Sequence, residues 1–183
     1  MWKSALATWD DPTTNYLYFP EKLAKTTYKK IQADLGKHRL ALQPNKHTLI
    51  WTTIAATLHG EFDDDPRMII GQAQNDILKL LEILQVTKKK SFPYLSGPKL
   101  SNYWPYILSQ YTDVKWLNPY EISIIPDTHI IQSSIELGLV PEGANQEEVI
   151  AAWRELLKDS DVTPVQMHPV LWNWSRAGFL PAV

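Results

Sequence analysis

The chain has 183 residues, 44% of them hydrophobic and 21% charged, with a mean hydropathy of −0.26. This is the length of one domain or two small lobes and the composition of a globular protein, which excludes a disordered tail and, with no apolar run near 18 residues, a membrane span. With no cysteine, disulfide scaffolds, cysteine zinc sites, iron–sulfur clusters and thiol nucleophiles are excluded, and an intracellular protein, cytoplasmic or nucleoid, is expected. The start, MWKSALATWDD, lacks the layout of a signal peptide.

The net charge of −2 conceals a pattern. Residues 1–50 carry eight Lys and Arg against four Asp and Glu, and residues 51–87 carry two against six. Residues 88–115 carry five lysines against one aspartate, and residues 116–183 carry three basic groups against nine acidic ones. Screening over roughly 8 Å at physiological salt lets each patch act locally, so a basic stretch in an acidic chain can still meet a polyanion. A solvated lysine run accounts for the same pattern.

In chain order, Tyr16–Phe19 reads as a short extended piece. Leu49, Ile50, Trp51, Ile54, Ala55 and Leu58 form one apolar helix face that Gly60 ends. Asp65-Pro66 reads as a cap and first helical residue. Ile77, Leu80, Leu81 and Leu84 predict an amphipathic helix over about 76–87. Pro98 opens the next helix, Pro105 must kink or restart it, and Glu121–Ile125 is a second extended piece. Asp127 caps a helix over about 128–137 that Gly138 stops. Asn145 and Glu148 make a capping box before a stripe of Val149, Ile150, Trp153, Leu156 and Leu157. The expected fold class is all-α.

The chemistry concentrates in the stretch from Asp76 to Trp104, a helix, a Pro/Gly turn and a new helix. Such a hairpin points its turn amides and the following helix N-terminus outward, a ready phosphate site, and Lys88, Lys89 and Lys90 add charge there. Lys99 follows Pro98. In the first turn, the positive end of the helix dipole disfavours its protonated form, which suits an amine that must attack carbon. Alone, Lys99 also reads as an exposed lysine at a helix start, and Asp127 as a plain cap. Asp63–Asp65 reads as a polar turn, and the five histidines show no zinc-ligand spacing.

Taken in order, the hairpin Ser96-Gly97-Pro98-Lys99, then Ile125-Pro126-Asp127-Thr128-His129-Ile130, then the tail His168-Pro-Val-Leu-Trp172 resembles the helix–hairpin–helix DNA glycosylase superfamily. The likeness is closest to its archaeal 8-oxoguanine (GO) glycosylase branch, where lysine and aspartate are more widely spaced than in the endonuclease III type; here the spacing is 28 positions. It covers roughly residues 76–180. The resemblance implies a two-lobed helical HhH-GPD-like fold with a central cleft, spread over 1–183 as a single unit: an N-terminal helical part (1–75), a hairpin and catalytic segment (76–140) and C-terminal helices (141–183).

It further implies a DNA N-glycosylase with associated lyase activity on an oxidised purine. Lys99 matches the Schiff-base lysine, Asp127 the catalytic aspartate and Trp172 the stacking tryptophan. Trp51 is a second clamp candidate from spacing alone, although packing on its apolar helix is the stronger reading, and Thr57 stands where the family carries a base-recognising glutamine. Gly97, Lys88, Lys89, Lys90 and His129 would contact the DNA backbone. The implied partner is damaged double-stranded DNA, with no cofactor, no metal, no membrane and no obligatory protein partner, the protein acting as a monomer.

Three positions depart from the pattern. The first glycine of the usual Gly-x-Gly turn is absent, Pro105 interrupts the helix after Lys99, and His168 stands where the archaeal branch carries an aspartate that reads the base. Histidine offers a purine edge a different hydrogen-bond pattern; it also reads as the N-cap of a helix that starts at Pro169. Two other functions fit the same residues: a catalytically silent helix–hairpin–helix DNA-binding module, and a helical protein-interaction domain with exposed tryptophans.

Overall fold

A computed structural model describes residues 2–182 and is all-helical, with no strand among the described residues and one isolated bridge between Asp76 and Leu117. No helix among them is long and apolar enough to cross a membrane. The chain forms two compact units, Met1–Gln74 with Ile83–Ser96, and Asn75–Glu82 with Gly97–Val183. Residues 83–96 thus belong to the first unit, and the chain from Gly97 onward belongs to the second.

In the first unit, α1 is Trp2–Asp10, α2 Pro20–Leu23, α3 Tyr28–Lys37, α4 Pro44–Glu61 and α5 Arg67–Gln72. Of Tyr16–Phe19 only Phe19 is extended (φ −116°, ψ 104°): Asn15–Tyr18 is a 3-10 turn that buries Leu17 beside Leu23, Ile31, Leu35 and Ala55. Helix α4 carries four threonines, a residue type that disfavours helices. Thr52, Thr53 and Thr57 return their hydroxyls to carbonyls one turn back, at 2.9, 2.7 and 3.0 Å. The helix runs through Gly60 to Glu61, and Leu49 is exposed rather than part of the buried face. Helix α5 begins at Arg67, one residue later than expected, and the Asp65 carboxylate accepts the Arg67 amide at 2.8 Å, the bond of a capping aspartate. The second chain segment joins this unit through Phe92, fully buried 6.0 Å from the Phe62 ring.

In the second unit, α6 is Ile77–Glu82, α7 Pro98–Tyr111, α8 Thr128–Glu136, α9 Gln146–Leu157 and α10 Met167–Arg176. The run predicted over 76–87 is helical, but its last part, Ile83–Thr87, is a wider π turn belonging to the first unit. Helix α7 is continuous through Pro105, whose carbonyl accepts the Trp116 indole N–H at 3.0 Å. The cap at Asp127, the left-handed stop at Gly138 (φ 67°) and the Asn145–Glu148 capping box all form as the sequence predicts. One core joins α8, α9 and α10 through Ile130, Val149, Trp153 and Leu171, while Leu156 falls outside the buried stripe. A smaller cluster packs Ile77, Ile122, Ile125 and Val165 with Tyr103 and Tyr106.

Candidate functional site

The second unit builds its candidate site from the first turn of α7, the segment before α8 and the first two turns of α10. Gly97 is the N-cap of α7 in ordinary extended backbone (φ −75°, ψ 146°), a conformation open to any residue. The missing glycine of the turn is not matched by a glycine elsewhere; Tyr94 takes a left-handed φ of 69° there, unusual for a bulky side chain. Pro98 occupies the first helical position, and Lys99 follows with its side chain exposed.

Asn102 fixes this turn. Its side-chain N–H donates to the Pro98 carbonyl at 2.7 Å, and its Oδ1 accepts the Ser123 amide at 2.8 Å. That ties the start of α7 to Ser123–Pro126, a buried segment with no sheet partner that leads into Asp127. Arg154 holds the same segment from α9, donating to the Glu121 carbonyl and to Ser123 Oγ at 3.2 and 3.1 Å.

Asp127 is half-buried. Its Oδ1 accepts the amides of His129 and Ile130 at 3.0 and 3.1 Å, so the second carboxylate oxygen takes no part in capping. His129 Nδ1 hydrogen-bonds Ser175 Oγ at 3.0 Å on α10, and its ring meets Trp172 edge-to-face at 5.3 Å. The Arg176 guanidinium stands over the Trp172 ring at 4.8 Å. Trp172 is therefore half-buried between a histidine edge and a cation, a flat aromatic surface with a charged neighbour.

His168 lies inside the first turn of α10, which begins at Met167, so it is not the N-cap of a helix starting at Pro169. Its ring meets Tyr103 of α7 at 6.4 Å, and Nδ1 is buried without a hydrogen-bond partner. Burial holds the imidazole below its ordinary pKa of 6.5; the Asp127 carboxylate opposes this, the Lys99 ammonium reinforces it, and the backbone of Ile125 opposes it. Lys99, Asp127 and His168 thus belong to one electrostatic neighbourhood, and Lys99 makes no ion pair with Asp127 among the described residues.

The remaining candidates belong to the first unit. The Trp51 indole donates to the Leu17 carbonyl at 2.8 Å and its ring packs on Tyr18 at 5.9 Å, the environment of a packing tryptophan. Thr57 is buried, and its hydroxyl serves the Thr53 and Ser91 carbonyls at 3.0 and 3.2 Å. Lys88 is ion-paired with Glu61 and lies 5.6 Å over the Phe62 ring, whereas Lys89 and Lys90 are exposed. In the acidic run, Asp64 pairs with His59 at 2.9 Å and Asp65 with Arg67 at 2.6 Å, so two of its three carboxylates serve the turn.

Asn102, Tyr103, Ser175 and Arg176 escaped the sequence reading. An asparagine inside a helix, where it is a weak former, was the one local signal among them. Comparisons with family models, with curated proteins and with solved structures find no match for this chain.

Proposed function

We propose that the protein is a DNA N-glycosylase with associated lyase activity, built on a helix–hairpin–helix glycosylase-like fold, which removes an oxidised purine through a Schiff base on Lys99. The observation that carries the reading is that Asn102 ties the first turn of α7, which bears Lys99, to Ser123 in the segment that leads into Asp127, 28 positions after Lys99. The Lys99 lone pair attacks C1′ as the glycosidic bond breaks and its electron pair leaves with the protonated base. Loss of the amine's proton and opening of the sugar give the imine, from which β-elimination breaks the C3′–O bond. Asp127 faces the positive charge that develops on the sugar and stabilises it. The base must leave the stack to react, and Trp172 supplies an aromatic surface for it.

Duplex DNA bearing an oxidised purine or an abasic site, incubated with borohydride, is expected to give a covalent adduct that Lys99→Gln abolishes. Asp127→Asn is expected to slow turnover by at least tenfold while duplex affinity stays within twofold. A lesion panel that yields no adduct sinks the proposal, and equal losses of turnover and binding reduce Asp127 to a cap. One observation favours a protein-interaction domain instead: an apolar groove of about 530 Å³ lined by Leu137, Met167, Val170, Trp174 and Leu180. Absence of any duplex affinity at low salt would select that reading.

A further inference from the structure

Helix α1 leaves one apolar side in water. Trp2, Leu6 and Trp9 recur at i, i+4 and i+7 and are 72%, 61% and 50% exposed. The opposite side holds the helix in place: Thr8 is fully buried, the Ala5 carbonyl accepts the Tyr18 hydroxyl at 2.8 Å, and the Thr8 carbonyl accepts the Thr14 hydroxyl at 2.9 Å. The exposed stripe is thus a fixed feature of the first unit. Trp9 extends it to the next element, its ring lying 5.4 Å from Tyr18 and 5.9 Å from Phe19. Charge borders it. Lys3 is one turn from Leu6 on α1, and the Lys22 ammonium stands 4.2 Å over the Phe19 ring. Lys3, Lys22 and Lys25 make no ion pair among the described residues. Asp10 is the one acid within α1; the neighbouring Asp11 carboxylate is taken up by Lys37 and His38 at 2.7 and 2.8 Å.

We propose that the Trp2–Leu6–Trp9 face of α1 lies on an anionic lipid bilayer surface, with Lys3 and Lys22 at the headgroups. Two of the three apolar side chains are tryptophan, the residue whose apolar ring and N–H suit the boundary between acyl chains and headgroups. A helix with tryptophan and leucine on one side and lysines at its margins lies in that boundary and needs no membrane span. The three exposed side chains present roughly 400 Å² of apolar surface, the size of a functional patch. Two copies joined face to face would bury roughly 800 Å² here, below the roughly 1,200 Å² of a specific interface, whereas a bilayer requires no matching shape. Lysines without carboxylate partners favour an anionic surface over a neutral one.

The test is co-sedimentation of the intact protein with vesicles of phosphatidylcholine, either alone or with about 30% phosphatidylserine. The wild type is expected to pellet with the anionic vesicles at low salt, to bind the neutral ones roughly tenfold or more weakly, and to be released as salt is raised. Trp2→Ser/Leu6→Ser, at two exposed positions, should bind the anionic vesicles roughly tenfold or more weakly with an unchanged Tm. Lys22→Gln should weaken binding about fivefold, the effect of one lysine near such a surface, and Asp10→Asn should strengthen it. No binding to anionic vesicles, equal binding to both kinds, or wild-type binding in Trp2→Ser/Leu6→Ser overturns the proposal. So does a wild-type dimer, seen by sedimentation equilibrium without lipid, that Trp2→Ser/Leu6→Ser dissolves, because the face then belongs to a second copy. Should the double variant fold poorly, Lys22→Gln and Asp10→Asn decide, since removing a cation and removing an anion must move binding in opposite directions. DNA enters none of these measurements, so their outcome is independent of the glycosylase reading.

Discussion

His168 is a group through which the stability of the second unit should respond to pH. Its folded pKa lies below the ordinary 6.5, with burial as the chief cause. The folded state therefore favours the neutral ring. Above pH 6.5 neither state binds the proton and the contribution is complete. As pH falls through 6.5 the unfolded chain takes up a proton that the folded chain refuses, and stability is lost until the folded pKa is reached. Thermal melts from pH 8 to 5 should show the wild-type Tm falling below about pH 6.5 more steeply than that of His168→Gln. Parallel curves for the two proteins would show that the ring carries no such linkage. Asp127 at the neighbouring turn differs in kind: it works through one oxygen as a cap, a role asparagine also fills, which is why Asp127→Asn separates charge from structure.

Among the elements, α7 depends on a contact made outside itself. Proline at position 98 organises its first turn, but Asn102 binds that turn to Ser123 and so fixes Lys99 relative to the approach to Asp127. Asn102→Leu leaves the buried Ser123 amide without its acceptor and is expected to cost about 1–3 kcal/mol in urea unfolding. If the glycosylase reading holds, trapping of abasic DNA should slow by more than the loss of folded protein explains. Asn102→Asp keeps the acceptor and should recover most of both; stability equal to wild type in Asn102→Leu would remove the tie from the account. The devices that the sequence displays openly are local ones. Pro98, Asp127, Gly138 and the Asn145–Glu148 box act within four residues, and each does in the structure what its chemistry predicts. What was illegible depends on distant partners. Tyr16–Phe19 looks extended until its role in burying Leu17 against α2 and α3 is seen, and nothing near Trp172 in a helical pattern announces that His129, from 43 positions earlier, lies against its ring. The piece expected to be extended over Glu121–Ile125 begins inside a 3-10 turn, Pro119–Glu121, and the buried amide of Ser123 beyond it could not be assigned an acceptor without the fold.

For the whole molecule, charge is the property that the structure redistributes most. The sequence groups Lys88, Lys89 and Lys90 as one basic cluster on a chain of net charge −2. Folding divides them: Lys88 is drawn into the first unit by Glu61 and Phe62, a role set by residues more than twenty positions away, while Lys89 and Lys90 stay in solvent. Only charges free to meet phosphate release counterions, so the two kinds of lysine should respond differently to neutralisation. If the protein binds duplex DNA as proposed, its affinity across a salt series is expected to weaken in Lys89→Gln/Lys90→Gln, with the slope of log K against log salt reduced in magnitude by about 1.8 when each lysine meets one phosphate. Lys88→Gln should leave that slope nearly unchanged and lower the Tm, because it strands Glu61 without its partner. The reverse pattern, a changed slope for Lys88→Gln and none for the pair, would mean that the ion pair opens on DNA and that the exposed lysines are solvated surface. On the proposed glycosylase reading, neither variant touches Lys99, so trapping at saturating DNA should survive both, which separates the proposed duplex contacts from the proposed chemistry.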